Sequence, residues 1–142
     1  MVAPNFVILT LGVSDLDRSI AFYSGLGWEM RGQREQGIVW FRTSGSWVGL
    51  FAAHELAADA GLVVTPDQEF RGSTYAINLP TESDVDAALD EVAALGARIV
   101  KAPTRADWGG YSGYFADPDG HLWELCYNPM FPLDEHGRIE IG

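Results

Sequence analysis

The sequence predicts an α+β fold in which two βαβββ modules set their sheets side by side as a half-open barrel, leaving a concave cup. Three observations predict it. Residues 15–28 (DLDRSIAFYSGLGW) and 84–97 (DVDAALDEVAALGA) repeat in one unbroken register, matching Asp15 to Asp84, Asp17 to Asp86, Ile20 to Leu89, Leu26 to Leu95 and Gly27 to Gly96. Each copy follows one strand-like segment and precedes three more. The last two segments of each set are separated by a turn sequence, TSGS at 43–46 and DPDG at 117–120.

In chain order, strands are expected over 6–13, 28–33, 37–43 and 46–52, then over 73–79, 97–101, 111–116 and 121–127. The two repeat copies read as amphipathic helices, with Val85, Leu89, Val92 and Leu95 on one apolar stripe. Ser83 and Asp86 have capping-box spacing, and Gly27 and Gly96 stand where a helix stop belongs. The organisation is thus a module at 6–52, a linker at 53–72, a second module at 73–127 and a tail at 128–142. The linker reads as a short helix around 54–60 and then a loop through Pro66. The tail, with two prolines and little periodicity, reads as an extended arm or a frayed end.

The 142 residues suit one domain built of two small modules. With 47% hydrophobic and 20% charged residues, the composition excludes disorder of the whole chain. No apolar run approaches the ~20 residues of a membrane-spanning helix, and the N-terminal MVAPNFVILTLGVSD has no basic segment of the signal-peptide kind. Nine Lys+Arg against 20 Asp+Glu give a net charge of -11. That charge disfavours nucleic acid and anionic membranes as partners; it reads first as a solubility device and would also attract a cationic small molecule at long range. A single cysteine, Cys126, excludes an internal disulfide and a cysteine-based metal cage, and fits a cytoplasmic protein.

Strand alternation predicts the lining of the cup once one residue is placed. Glu124 stands in HLWELCY with apolar neighbours on both sides. Facing it into the cup puts Leu122 and Cys126 beside it and the bulkier Trp123, Leu125 and Tyr127 under the helix. Aligning Gly45 with Gly120 makes Gly49 the counterpart of Glu124, flanked by Trp47 and Phe51. In the first strands, Ile8 then matches Thr74, with Phe6, Thr10 and Gly12 on one lining and Ala76 and Asn78 on the other. The Gly109-Gly110 pair reads as a hinge that brings Trp108 and Tyr111 to the cup mouth. The expected ligand-binding residues are therefore Ile8, Thr10, Trp47, Gly49, Phe51, Thr74, Asn78, Trp108, Tyr111, Leu122 and Glu124. Glu124 is the one candidate catalytic residue. Asp117 and Asp119 read as turn residues. Cys126 has no neighbouring histidine, and His54, His121 and His136 show no metal-binding spacing.

The paired modules, DLDRSIAFYSGLGW and above all WGGYSGYFADPDGHLWELCYNP at 108–129, resemble the vicinal oxygen chelate superfamily, which contains glyoxalase I, bleomycin-resistance proteins and extradiol dioxygenases. The resemblance spans about residues 6–129 and implies a glyoxalase/bleomycin-resistance-like fold and a homodimer. Enzymes of that superfamily hold a divalent metal through side chains that map to Ile8, Gly49, Thr74 and Glu124. Only Glu124 offers a donor of the family's type, and one carboxylate is too few for a tight site.

These readings imply a small-molecule-binding protein without a complete metal site or other cofactor. Aromatic walls would stack on a flat or cationic ligand, with Glu124 neutralising an amine. The alternative is a metal-dependent lyase or dioxygenase that uses Glu124 with a donor from elsewhere. A third reading makes Glu124 structural, hydrogen-bonded to backbone, Tyr114 or Asn78.

Overall fold

The computed structural model describes residues 1–4, 6–65 and 69–142. The loop expected through Pro66 lies outside the described residues. The chain divides into two compact units, Met1–Asp67 and Gln68–Gly142. Each holds one four-stranded mixed sheet, so the α+β, paired-βαβββ expectation is met.

The first unit runs β1 (Ile8–Val13), α1 (Leu16–Gly25), β2 (Glu29–Arg31), a single 3-10 turn (Arg34–Gln36), β3 (Ile38–Arg42), β4 (Trp47–Ala52) and α2 (Ala53–Asp59). The strand order is β1-β4-β3-β2, with β1 and β4 parallel and the other pairs antiparallel. The Asp15 carboxylate caps α1 by accepting from the Arg18 N–H at 3.1 Å, satisfying one of the helix's orphan donors. Beneath α1 lie Leu11, Val13, Val39, Phe41, Val48 and Leu50, all buried. Tyr23 of α1 packs its ring 5.8 Å from that of Phe41, which fixes which sheet face the helix covers. Each such apolar side chain contributes about 1.5–3 kcal/mol by leaving water.

The second unit repeats the plan: β5 (Tyr75–Asn78), α3 (Glu82–Ala94), β6 (Arg98–Arg105), β7 (Tyr111–Ala116) and β8 (Leu122–Tyr127), in the order β5-β8-β7-β6. Here β5 and β8 are the parallel pair. Val85, Leu89 and Val92 of α3 are buried, and Phe115, Trp123 and Leu125 form the core of this sheet. The Phe115 and Trp123 rings stack at 6.5 Å. Both helices end one residue short of a glycine in the left-handed region, Gly27 at φ 83° and Gly96 at φ 92°, as their place in the repeat predicts.

Two local expectations are corrected. The cap of α3 is Thr81, not Ser83. Its hydroxyl oxygen accepts from the Asp84 N–H at 3.1 Å and its O–H donates to the Asp84 carboxylate at 2.6 Å. Thr81 and Asp84 have the same spacing as Ser83 and Asp86, and the earlier pair is taken because it starts the helix two residues sooner. Leu95 does not complete the apolar stripe. It is the C-cap residue of α3 and is 39% exposed.

The linker helix is present as α2, close to its expected bounds. In the tail, Leu133 and Ile139 form an isolated antiparallel bridge, and the Asp134 carboxylate accepts from the His136 and Arg138 N–H groups within its turn. Backbone hydrogen bonds hold its carboxyl below the usual carboxylate range. Among the described residues no helix is long and apolar enough to cross a membrane.

Gly113 of β7 tests how closely α3 packs. A Cβ there would stand 2.7 Å from Leu89 Cδ1 and 3.0 Å from the Lys101 carbonyl oxygen of β6. Gly113→Ala is therefore expected to cost about 1–3 kcal/mol through overpacking, read as a lower urea midpoint at unchanged slope. An unchanged midpoint would show that α3 does not seat on β7 as described.

Candidate functional site

In each sheet most of the candidate residues lie on the strand face opposite the principal helix. Parity along β8 places Leu122, Glu124 and Cys126 on one face and Trp123 and Leu125 on the face toward α3. Cross-strand register sets Tyr114 of β7 and Ala76 of β5 on either side of Glu124, with Asn78 beside Cys126. Glu124 is half-buried, and the Tyr114 hydroxyl donates to its Oε2 at 3.1 Å. Its Oε1 takes no hydrogen bond from the described residues. Burial and the neighbouring carboxylate push the Tyr114 phenol above its ordinary range, so it stays a donor throughout the physiological span.

Cys126 donates its S–H to Asn78 Oδ1 at 3.3 Å. Burial first, and the charge of Glu124 second, push this thiol up to about 11. It is held as a neutral thiol beside the carboxylate, which is the reverse of an activated nucleophile.

In the first unit the corresponding face is a grid of three rows. Thr10, Gly49 and Trp40 form the central row; Ile8 and Trp47 lie in the row on one side, Gly12, Phe51 and Ile38 in the row on the other. Arg42 extends the Trp47 row, its guanidinium carbon 5.3 Å from the Trp47 ring centroid. Ile8 is 45% exposed. Gly12 meets α2, since a Cβ there would lie 3.2 Å from Ala53.

The structure thus brings together Ile8, Thr10, Trp47, Gly49 and Phe51 on one sheet face, and Asn78, Leu122 and Glu124 on another. Thr74 lies exposed just ahead of β5. Trp108 is 61% exposed and folds over Gly110, whose Cβ position is 2.1 Å from the indole Cη2, so only glycine fits beneath it. The expectation for Tyr111 is corrected. It stands on the α3 side of β7, and its hydroxyl donates to Asp86 of that helix. That bond holds its proton above the usual phenol range. The reason is parity, because Tyr111 is an odd number of residues from Tyr114.

Tyr114 and Trp40 are the residues that the expected lining omits. Both were signalled by the repeat, each pairing across its sheet with one of the counterparts Glu124 and Gly49. Asp117 is a turn residue as expected: its buried carboxylate accepts from the N–H groups of Asp119 at 3.0 Å and His121 at 2.8 Å. His54 is exposed on α2, and His136 lies in the tail, 3.4 Å from Glu135.

The positions that the resemblance assigns to a divalent metal do not fit one. Ile8 is aliphatic, Gly49 lacks a side chain, and Thr74 offers only a neutral hydroxyl. Among the described residues, no three His, Cys, Asp or Glu side chains cluster where they could hold an ion.

With this geometry in place, comparison with known proteins defines the class. Residues 5–125 match the model of the Glyoxalase/Bleomycin resistance protein/Dioxygenase superfamily, and the chain belongs to that family. Among solved structures, it is similar to a glyoxalase-related enzyme from Fulvimarina pelagi, at 30% identity and a TM-score of 0.86 over 97% of this chain and 98% of that one. It also resembles a mutant of the fosfomycin resistance protein FosX from Listeria monocytogenes, complexed with Mn(II) and 1S,2S-dihydroxypropylphosphonic acid. That likeness is 26% identity and a TM-score of 0.66, over 88% of this chain and 90% of that one. Among curated proteins, a metallothiol transferase FosB from Lysinibacillus sphaericus is 27% identical over 117 residues, 82% of this chain and 77% of the relative.

The Cys126 environment gives a pH test with a definite sign. The native thiol keeps its proton to about 11, against an ordinary 9.0, so folding binds that proton more tightly. This contribution to stability is fully present below pH 9 and is lost as pH rises toward 11. Modification by a disulfide reagent at pH 8 is expected to be slow in native protein and fast in urea. Glu124→Gln is expected to lower the thiol's apparent pKa while burial keeps it above the ordinary value. Rapid native labelling at pH 8 would contradict the assignment.

Proposed function

We propose that the protein binds a small molecule without the family's complete metal site, and that Glu124 receives a cationic group of that ligand. The observation that carries this reading is the Glu124 carboxylate itself. It lies half-buried in the middle of a sheet face, anchored through one oxygen by Tyr114 and presenting the other. A carboxylate so placed accepts a charge-assisted hydrogen bond from an ammonium or amidinium group at little cost in reorganisation. The net charge of -11 steers cations toward the protein.

The names of the relatives favour a second reading, metal-dependent group transfer or lysis of the sort a metallothiol transferase or a fosfomycin resistance protein is named for. Its requirement is a donor set beyond Glu124, and Ile8, Gly49 and Thr74 do not provide one.

Isothermal titration with benzylamine, a small planar cation, tests the proposal. Saturable binding is expected, weakened about tenfold (1.4 kcal/mol) by Glu124→Gln and less by Tyr114→Phe, which leaves the carboxylate in place. Equal affinity in wild type and Glu124→Gln, or no saturable binding to wild type, would overturn it.

A further inference from the structure

The two units differ most at equivalent positions. In each sheet an aromatic hydrogen-bond donor on the third strand pairs across to the middle of the fourth: Tyr114 to Glu124, and Trp40 to Gly49. In the second unit the donor meets a carboxylate. In the first, residue 49 has no side chain to receive the indole N–H.

Close packing fixes the Trp40 indole. A Cβ on Gly32 would lie 3.1 Å from its Cε3 and Cζ3, and a Cβ on Gly49 would lie 3.2 Å from its Cδ1 and 3.3 Å from its Nε1. The ring therefore lies between two glycines, and a side chain at either would push against it. On the other side of Gly49, the same Cβ position is 3.2 Å from Thr10 Oγ1. Two polar groups thus converge above one glycine. Neither side chain has a hydrogen-bond partner among the described residues. Trp40 is only half-buried, and no fully buried side-chain nitrogen or oxygen there lacks a partner, so the indole N–H is open to solvent.

We propose that the Trp40 Nε1–H and the Thr10 hydroxyl form an oxygen-acceptor subsite above Gly49 that takes the carboxylate of a ligand. An indole N–H can only donate, so its partner must be an acceptor, and the threonine O–H rotates to give a second bond. Arg42, two residues from Trp40 on the same face, selects an anion over a neutral carbonyl. Glu29, the register partner of Arg42 across β2 and β3, makes its ion pair with Arg31 at 2.7 Å and feels the Arg42 charge more weakly. Trp47 and Phe51, each two residues from Gly49 along β4, offer faces to a planar group attached to that carboxylate.

The proposal is independent of the amine reading of Glu124, and its readout belongs to Trp40 alone, so the two can fail separately. The chain has five tryptophans, hence five indole N–H resonances in a 15N-labelled sample of the full protein, and Trp40→Phe identifies the relevant one. Titration with benzoate is expected to move that resonance downfield and saturably, while benzylamine, which has no oxygen acceptor, does not move it. Thr10→Val, a substitution a strand tolerates, is expected to weaken benzoate about tenfold. Gly49→Ala, which crowds both donors, is expected to abolish the response. Three results would overturn the proposal. They are a Trp40 shift with benzoate no larger than that of the other tryptophans, wild-type affinity for benzoate in Thr10→Val, and a response to benzamide equal to that for benzoate, which removes the preference for an anion.

Discussion

One helix covers one face of each four-stranded sheet, and the two-residue period of a strand then decides what the other face can be. With Phe115, Trp123 and Leu125 committed to the core beneath α3, the intervening side chains have no choice of side. Glu124, Tyr114, Cys126 and Asn78 are brought together by that constraint, and so are Thr10, Gly49, Trp40 and Trp47. A slip of one residue in β8 would bury the carboxylate against the helix and expose Trp123, at a cost the fold could not carry. The candidate face is thus specified largely by the residues that do not belong to it.

The same plan carries two different chemistries. In the second unit an aromatic donor holds a carboxylate, and burial, helped by the negative charge, keeps both Tyr114 and Cys126 protonated. In the first unit glycine stands in the place of the carboxylate, threonine in that of Ala76, and an indole in that of the phenol, its Nε1 close above the glycine. Membership of the family explains the common scaffold. At the positions that the resemblance assigns to a metal, only Glu124 is a carboxylate; Ile8, Gly49 and Thr74 are not donors of that kind.

Most of the fold was legible because the repeat fixed it twice over. The helix stops at Gly27 and Gly96, the DPDG turn and the orientation of Glu124 follow from local chemistry and strand parity. Other features depended on competition that local rules do not resolve. Thr81 and Ser83 offer equivalent caps, and only the two extra helical residues favour the first. Tyr111 has the composition of a ligand contact, but its parity with Phe115 and the reach of Asp86 turn it to the helix. A tryptophan in an apolar strand reads as core, so Trp40 stands out only through its pairing with Gly49. Its ring is fixed by two glycines, at 32 and 49, that are distant in sequence and close in space.

Recognition of a ligand without the family's metal is tested by elemental analysis of protein purified without chelators, repeated on Glu124→Ala. Metal far below one equivalent is expected in both preparations. Near-stoichiometric zinc, manganese, nickel or iron in wild type that disappears in the variant would contradict it, and would make Glu124 a metal ligand.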